Sequence, residues 1–144
     1  MSIAILTAPH DAGCGVHALS KEIVSQLVGR ASQAGRTIAV RGCRDVAEMV
    51  ECLRRVNGKG TEFLLLDPGA RGCGNAALDA ALDDVGVPYI EVHADGSRAD
   101  DTEPVGRPLD VVDGYGAQGY VLALSIALEH LGCAECENDL HPAT

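Results

Sequence analysis

Short, nearly continuous apolar runs alternate along this chain with longer stretches in which apolar positions recur every three or four residues. Residues 2–6 form a compact apolar run, closed by Pro9, Gly13 and Gly15, and read as a first strand. Leu19, Ile23, Leu27 and Ala31 fall four apart and predict a helix over 16–34. Residues 36–40 read as a second strand ended by Gly42. Asp45 suits an N-cap, and Val46, Met49, Val50 and Leu53 give the stripe of a second helix ending near Gly58. A third strand over 61–66, an Ala/Leu-rich helix over 75–85 and a fourth strand over 87–92 follow. The polar stretch 93–107, with Gly96, Pro104 and Gly106, is the longest loop and a candidate lid or interface segment. Residues 109–112 read as a short fifth strand. Residues 115–131 read as a last helix, apolar on most faces and expected to be buried.

Strand and helix thus alternate, which implies a parallel sheet with right-handed crossovers and helices on both faces. The expected architecture is α/β: a flavodoxin-like three-layer sandwich around a five-stranded parallel sheet of order 2-1-3-4-5. No internal repeat or linker is visible. One domain is expected over 1–132, with 133–144 as a polar, frayed C-terminal tail.

Composition narrows the function. The 144 residues suffice for a core that needs neither disulfide nor metal. Hydrophobic residues make up 47% and aromatics only 3%, with no Trp, so the core is aliphatic and recognition by aromatic stacking is disfavoured. A net charge of −10 with no basic patch argues against a nucleic-acid partner. No apolar run approaches the roughly 20 residues of a membrane span, and the opening residues enter a strand directly instead of forming a signal peptide. A cytoplasmic protein without membrane partners is expected, with its six cysteines as reduced thiols. Gly13-Cys-Gly15 lacks the third glycine of a dinucleotide fingerprint, no phosphate-cradling loop with Gly-Lys-Ser/Thr occurs, and the first loop is not rich in Ser and Thr as FMN binding would require. No cofactor is expected.

In an open parallel sheet, ligands bind beyond the carboxyl ends of the strands. Two segments therefore carry the candidate chemistry: Asp67-Pro-Gly-Ala-Arg-Gly-Cys-Gly-Asn75, past the third strand, and Pro88-Tyr-Ile-Glu-Val-His93, which ends the fourth. Asp67, Glu91 and His93 make a charged cluster able to move protons, with Glu91 orienting His93 and raising its pKa. Cys73, flanked by glycines near a helix start, is a candidate nucleophile with His93 as its partner; a passive thiol in a turn is the plainer alternative. His10, Cys14, Cys73 and His93 all follow strands and form an N/S set that zinc accepts. None of them falls in a paired ligand motif, so small cysteines filling a pocket outweigh a metal. Cys133 and Cys136 form a C-x-x-C in the tail and are read as incidental thiols, and Cys52 as packing.

The motifs resemble those of type II 3-dehydroquinate dehydratases, over roughly residues 3–131. Ile5-Leu-Thr-Ala-Pro9 is similar to the family's opening I-L-x-L-N-G-P, and Leu66-Asp-Pro-Gly-Ala70 to its I-N-P-G-A. Pro88-Tyr-Ile-Glu-Val-His93 matches P-x-I-E-V-H, and Gly116-Ala-Gln-Gly-Tyr-Val-Leu-Ala-Leu124 matches G-x-x-G-Y-x-L-A-L, in the same order. The resemblance implies a hydro-lyase of the shikimate-pathway kind that takes a proton from beside a ketone and then expels a hydroxyl as water. It implies a small-molecule ligand and a homo-oligomer, a trimer or a dodecamer. It also implies His93 as the acid of the dehydration step and Glu91 as its support.

Other positions depart from the family's residues. Only Val16-His-Ala18 stands where the family carries a lid with a basic tyrosine and its activating arginine, so the lid is expected to be missing. His10 stands at an asparagine of the first loop, Asp67 at the asparagine of N-P-G and Cys73 at the histidine of T-H-T-S. Ala94 and Asp95 lie where backbone groups hold the substrate carboxylate, and a carboxylate at Asp95 repels an acidic substrate. Arg98 or Arg107 stands in for the substrate arginine of a shortened loop. Two readings stay open: a diverged lyase or proton-transfer enzyme acting on a small oxygenated molecule, and a non-catalytic homologue that binds a ligand or metal or serves in an assembly.

Overall fold

The computed structural model describes residues 2–7, 19–56, 60–69, 75–93 and 107–132. Five strands, β1 (Ser2–Thr7), β2 (Thr37–Gly42), β3 (Thr61–Asp67), β4 (Tyr89–His93) and β5 (Asp110–Asp113), form one parallel sheet of order β2-β1-β3-β4-β5. This is the flavodoxin-like order expected from the sequence. The helices are α1 (Lys21–Gln33), α2 (Val46–Val56), α3 (Ala76–Asp84) and α4 (Gln118–His130).

Period-two alternation sorts the strand residues between two cores. Ala4, Leu6, Leu64, Leu66 and Tyr89 pack against α2 and α3 with Met49, Leu53, Leu78 and Leu82. Ile3, Ile5, Phe63, Leu65, Ile90 and Val92 pack against α1 and α4 with Leu27, Tyr120, Leu124 and Ala127. Strands covered on both faces read as unbroken apolar runs, as β1 and β3 do. Edge strand β2 is exposed along most of its length.

Helix starts follow their caps. Ser20 keeps an extended backbone, and its Oγ accepts from the Ile23 N–H at 3.2 Å, so α1 begins at Lys21 and not at residue 16 as periodicity alone suggests. Asp45 caps α2 as expected, Oδ1 accepting from the Glu48 N–H at 2.8 Å, while Glu48 accepts from the Arg44 N–H at 3.1 Å. Asn75 caps α3, accepting from the Leu78 N–H at 2.9 Å. The last helix begins at Gln118, three residues later than expected, because Gly114 and Gly116 both take positive φ and hold the chain in a turn. The fifth strand in turn runs on to Asp113, one residue past the expected end. That extra residue brings a carboxylate alongside His93. The tail 133–144 lies outside the described residues.

Candidate active site

Glu91 and His93 stand two apart on β4, so both side chains leave the sheet on the α2/α3 face, at its carboxyl edge. Neither is accessible to solvent: Glu91 is 0% and His93 1% exposed. Glu91 Oε1 and His93 Nε2 lie 2.5 Å apart, a short charge-assisted hydrogen bond. Nδ1 of His93 is buried without a hydrogen-bond partner among the described residues. Burial by itself would lower the His93 pKa. The hydrogen bond and charge of Glu91, joined by the charges of Asp67 and Asp113, outweigh that effect and raise it above the ordinary value. A raised pKa keeps an imidazolium, and its proton, available closer to neutral pH.

Asp67 ends β3 and is 2% exposed. Alternation puts it on the opposite face from Glu91, in line with Phe63 and Leu65. There its Oδ2 accepts from the Tyr120 hydroxyl at 2.6 Å, across to α4. Its Oδ1 accepts from the Gly69 N–H at 3.0 Å. Gly69 takes φ +66°, which glycine adopts without the steric cost a side chain would bring, and this turn fixes the chain leaving β3. Asp67 thus contributes charge to His93, while its hydrogen bonds hold a turn and a helix.

The remaining candidates separate. Arg107 precedes β5, at the amino end of the sheet. It is exposed there and lines a cavity of about 480 Å³ with Asp83, Val87, Pro88, Tyr89 and Leu109. That cavity contains neither Glu91 nor His93, and the structure does not bring Arg107 to them. Burial pushes the Tyr89 hydroxyl above its usual range against a backbone hydrogen bond with Arg107. Cys43, just past β2, lies with Sγ 3.9 Å from Cys52 Sγ of α2, under the helix. Burial, followed by the neighbouring Cys52, pushes the Cys43 thiol up to about 12, which makes it a packing group and not a nucleophile at neutral pH. His10, Cys14, Cys73, Ala94, Asp95, Arg98 and the segment expected to lack the lid lie outside the described residues. Among the described residues, no group of three His, Cys, Asp or Glu is placed to hold a metal. No helix among them is long and apolar enough to cross a membrane.

Sequence reasoning missed two participants. Asp113 lies one residue past the expected end of the fifth strand, and it is the pairing with His93 of β4 that carries the strand on to it. Tyr120 falls inside a family motif, and the signal that could have found it is that a hydroxyl on an otherwise apolar buried helix needs a partner.

Fold and edge together define a flavodoxin-like α/β protein with a buried Glu–His pair where such sheets bind ligands. The chain belongs to the dehydroquinase class II family, whose model matches residues 10–128. Among its relatives is the 3-dehydroquinate dehydratase of Shewanella denitrificans, 34% identical over 122 residues, covering 80% of this chain and 78% of that one. That of Pseudomonas syringae pv. tomato is 32% identical over 120 residues, covering 78% and 79%. Among solved structures, the type II dehydroquinase from Propionibacterium acnes superposes with a TM-score of 0.70 at 24% identity, covering 87% of this chain and 96% of that one. A 3-dehydroquinate dehydratase-like protein from Bifidobacterium longum gives 0.63 at 22%, covering 91% and 98%.

Proposed function

We propose that the protein is a hydro-lyase or related proton-transfer enzyme acting on a small oxygenated molecule, with His93 as general acid and Glu91 as its support. The observation that carries this reading is the buried 2.5 Å bond from Glu91 to His93 Nε2, which leaves Nδ1 without a partner among the described residues. Glu91 fixes the ring and stabilises its protonated form. The electron pair left when the proton beside the ketone is taken, held as an enolate, forms the new C=C bond as His93 passes the Nδ1 proton to the departing hydroxyl; the pair of the breaking C–O bond stays with oxygen, and water leaves. Family membership and relatives bearing the 3-dehydroquinate dehydratase name favour that chemistry over other proton transfers. The same reading carries a cytoplasmic homo-oligomer, trimer or dodecamer, as its working form.

The test is turnover of 3-dehydroquinate, followed through the absorbance of its conjugated product. Conversion is expected, falling about 10²–10⁴-fold in His93→Gln, which keeps a hydrogen-bonding side chain but cannot deliver a proton. No conversion by the wild type would sink the dehydratase reading and favour a non-catalytic homologue.

A further inference from the structure

The strand next to the Glu91–His93 pair supplies a third polar side chain on the same face. β4 and β5 pair in parallel with His93 opposite Asp113, so the two side chains rise side by side from strands about 4.8 Å apart. Each carries a buried atom with no hydrogen-bond partner among the described residues: Nδ1 of His93 and Oδ1 of Asp113. Buried polar atoms are ordinarily satisfied, and two neighbouring exceptions at the ligand-binding edge of a sheet call for an occupant. Their chemistry restricts what it is. With Nε2 held by Glu91, the protonated ring offers Nδ1–H as a donor, while an ionised carboxylate oxygen only accepts. A ketone would satisfy His93 alone, and an ammonium Asp113 alone. A hydroxyl, with a lone pair and a proton on one atom, satisfies both.

We propose that His93 Nδ1 and Asp113 Oδ1 bracket one hydroxyl of a small hydroxylated substrate, which makes Asp113 a substrate-binding residue of this site. The inference rests on the reading of His93 given above and adds to it. Asp113 holds the hydroxyl proton, so that an oxygen lone pair faces Nδ1–H. When that proton transfers and the C–O bond breaks, the departing water keeps one O–H donated to Asp113. The charge of Asp113 also acts on the ring, beside those of Glu91 and Asp67.

The experiment follows the ¹⁵N resonance of His93 Nδ1 during titration with two probes, 3-dehydroquinate and the neutral cyclic polyol myo-inositol. At least one probe is expected to move it in the wild type. Asp113→Val removes the acceptor with a residue that favours strands, and should weaken that binding about tenfold or more. Asp113→Asn keeps the shape, loses the charge and should fall between, which covers the case in which the valine variant fails to fold. Unchanged affinity in the folded variants would overturn the bracket, and so would a wild-type Nδ1 resonance that neither probe moves. His93→Gln separates the two readings. Turnover that survives His93→Gln while Asp113→Val loses the probe defeats the general acid and leaves the hydroxyl site standing. Turnover lost in His93→Gln with probe binding intact in Asp113→Val defeats the bracket alone.

Discussion

Two buried polar pairs sit near the same edge of the sheet, on opposite faces, and they differ in what they leave unused. On the α1/α4 face, Asp67 takes the Tyr120 hydroxyl at 2.6 Å with one oxygen and the Gly69 N–H at 3.0 Å with the other. On the α2/α3 face, Glu91 holds Nε2 of His93, and among the described residues Nδ1 is left over, as is Oδ1 of Asp113 on the neighbouring strand. The first pair joins a strand end, a turn and a helix. The second retains a donor and an acceptor for something else. Burial and proximity are alike in the two pairs; spare hydrogen-bonding capacity is what distinguishes chemistry from scaffolding here.

The largest effect should come from breaking the second pair. Glu91→Ala leaves His93 wholly buried with neither ring nitrogen held by the strand, and removal of one partner from a buried ion pair costs about 3–5 kcal/mol. Chemical denaturation of the wild type and the variant measures the loss. A loss below about 1 kcal/mol would mean that the pair adds little to the folded state, and the contrast with Asp67 would need another basis.

Tyr120→Phe probes the other side. It removes one hydrogen bond to a carboxylate and little volume, so about 1.5–3 kcal/mol of stability should go. If Asp67 is scaffolding, the turnover of whatever molecules remain folded should change far less than in His93→Gln. A Tyr120→Phe variant as stable as the wild type but catalytically dead would reverse the assignment and put Asp67 in the site.

The architecture was legible because the periodicities are clean. Leu27 and Ala31 on a four-residue spacing, and the unbroken Phe63-Leu-Leu-Leu66, leave little choice of element, and their alternation dictates a parallel sheet. Glu91 and His93 were legible because a spacing of two on a strand puts both on one face. The partnership of Asp67 was not. Parity along β3 separates it from Glu91, but only the packing of α4 brings the Tyr120 hydroxyl within reach across 53 residues of sequence. Asp113 was missed for a smaller reason: the strand end was set where apolar residues stopped, whereas hydrogen bonding to β4 carries it one residue further. Arg107, one of the two arginines expected as a substrate ligand, was not legible as to place: it comes just before a parallel strand and so lies at the amino end of the sheet, away from the carboxyl edge where His93 sits.

The smallest effect is also the most specific to the Glu91–His93 side. The His93 pKa in the folded protein lies above the unfolded value of about 6.5, because Glu91, Asp67 and Asp113 together outweigh burial. The folded state therefore binds this proton more tightly than the unfolded chain does. Its stabilisation is fully present below about pH 6.5 and is lost as pH rises through the folded pKa. Unfolding free energies of the wild type and His93→Gln, measured from pH 5 to 9, should differ most at the acid end and converge as pH rises. A gap that widens with pH would mean that burial has won and that the neutral ring is the native form. His93 would then be a hydrogen-bonding group rather than an acid, and the spare Nδ1 would lose the proton that sets this pair apart from Asp67 and Tyr120.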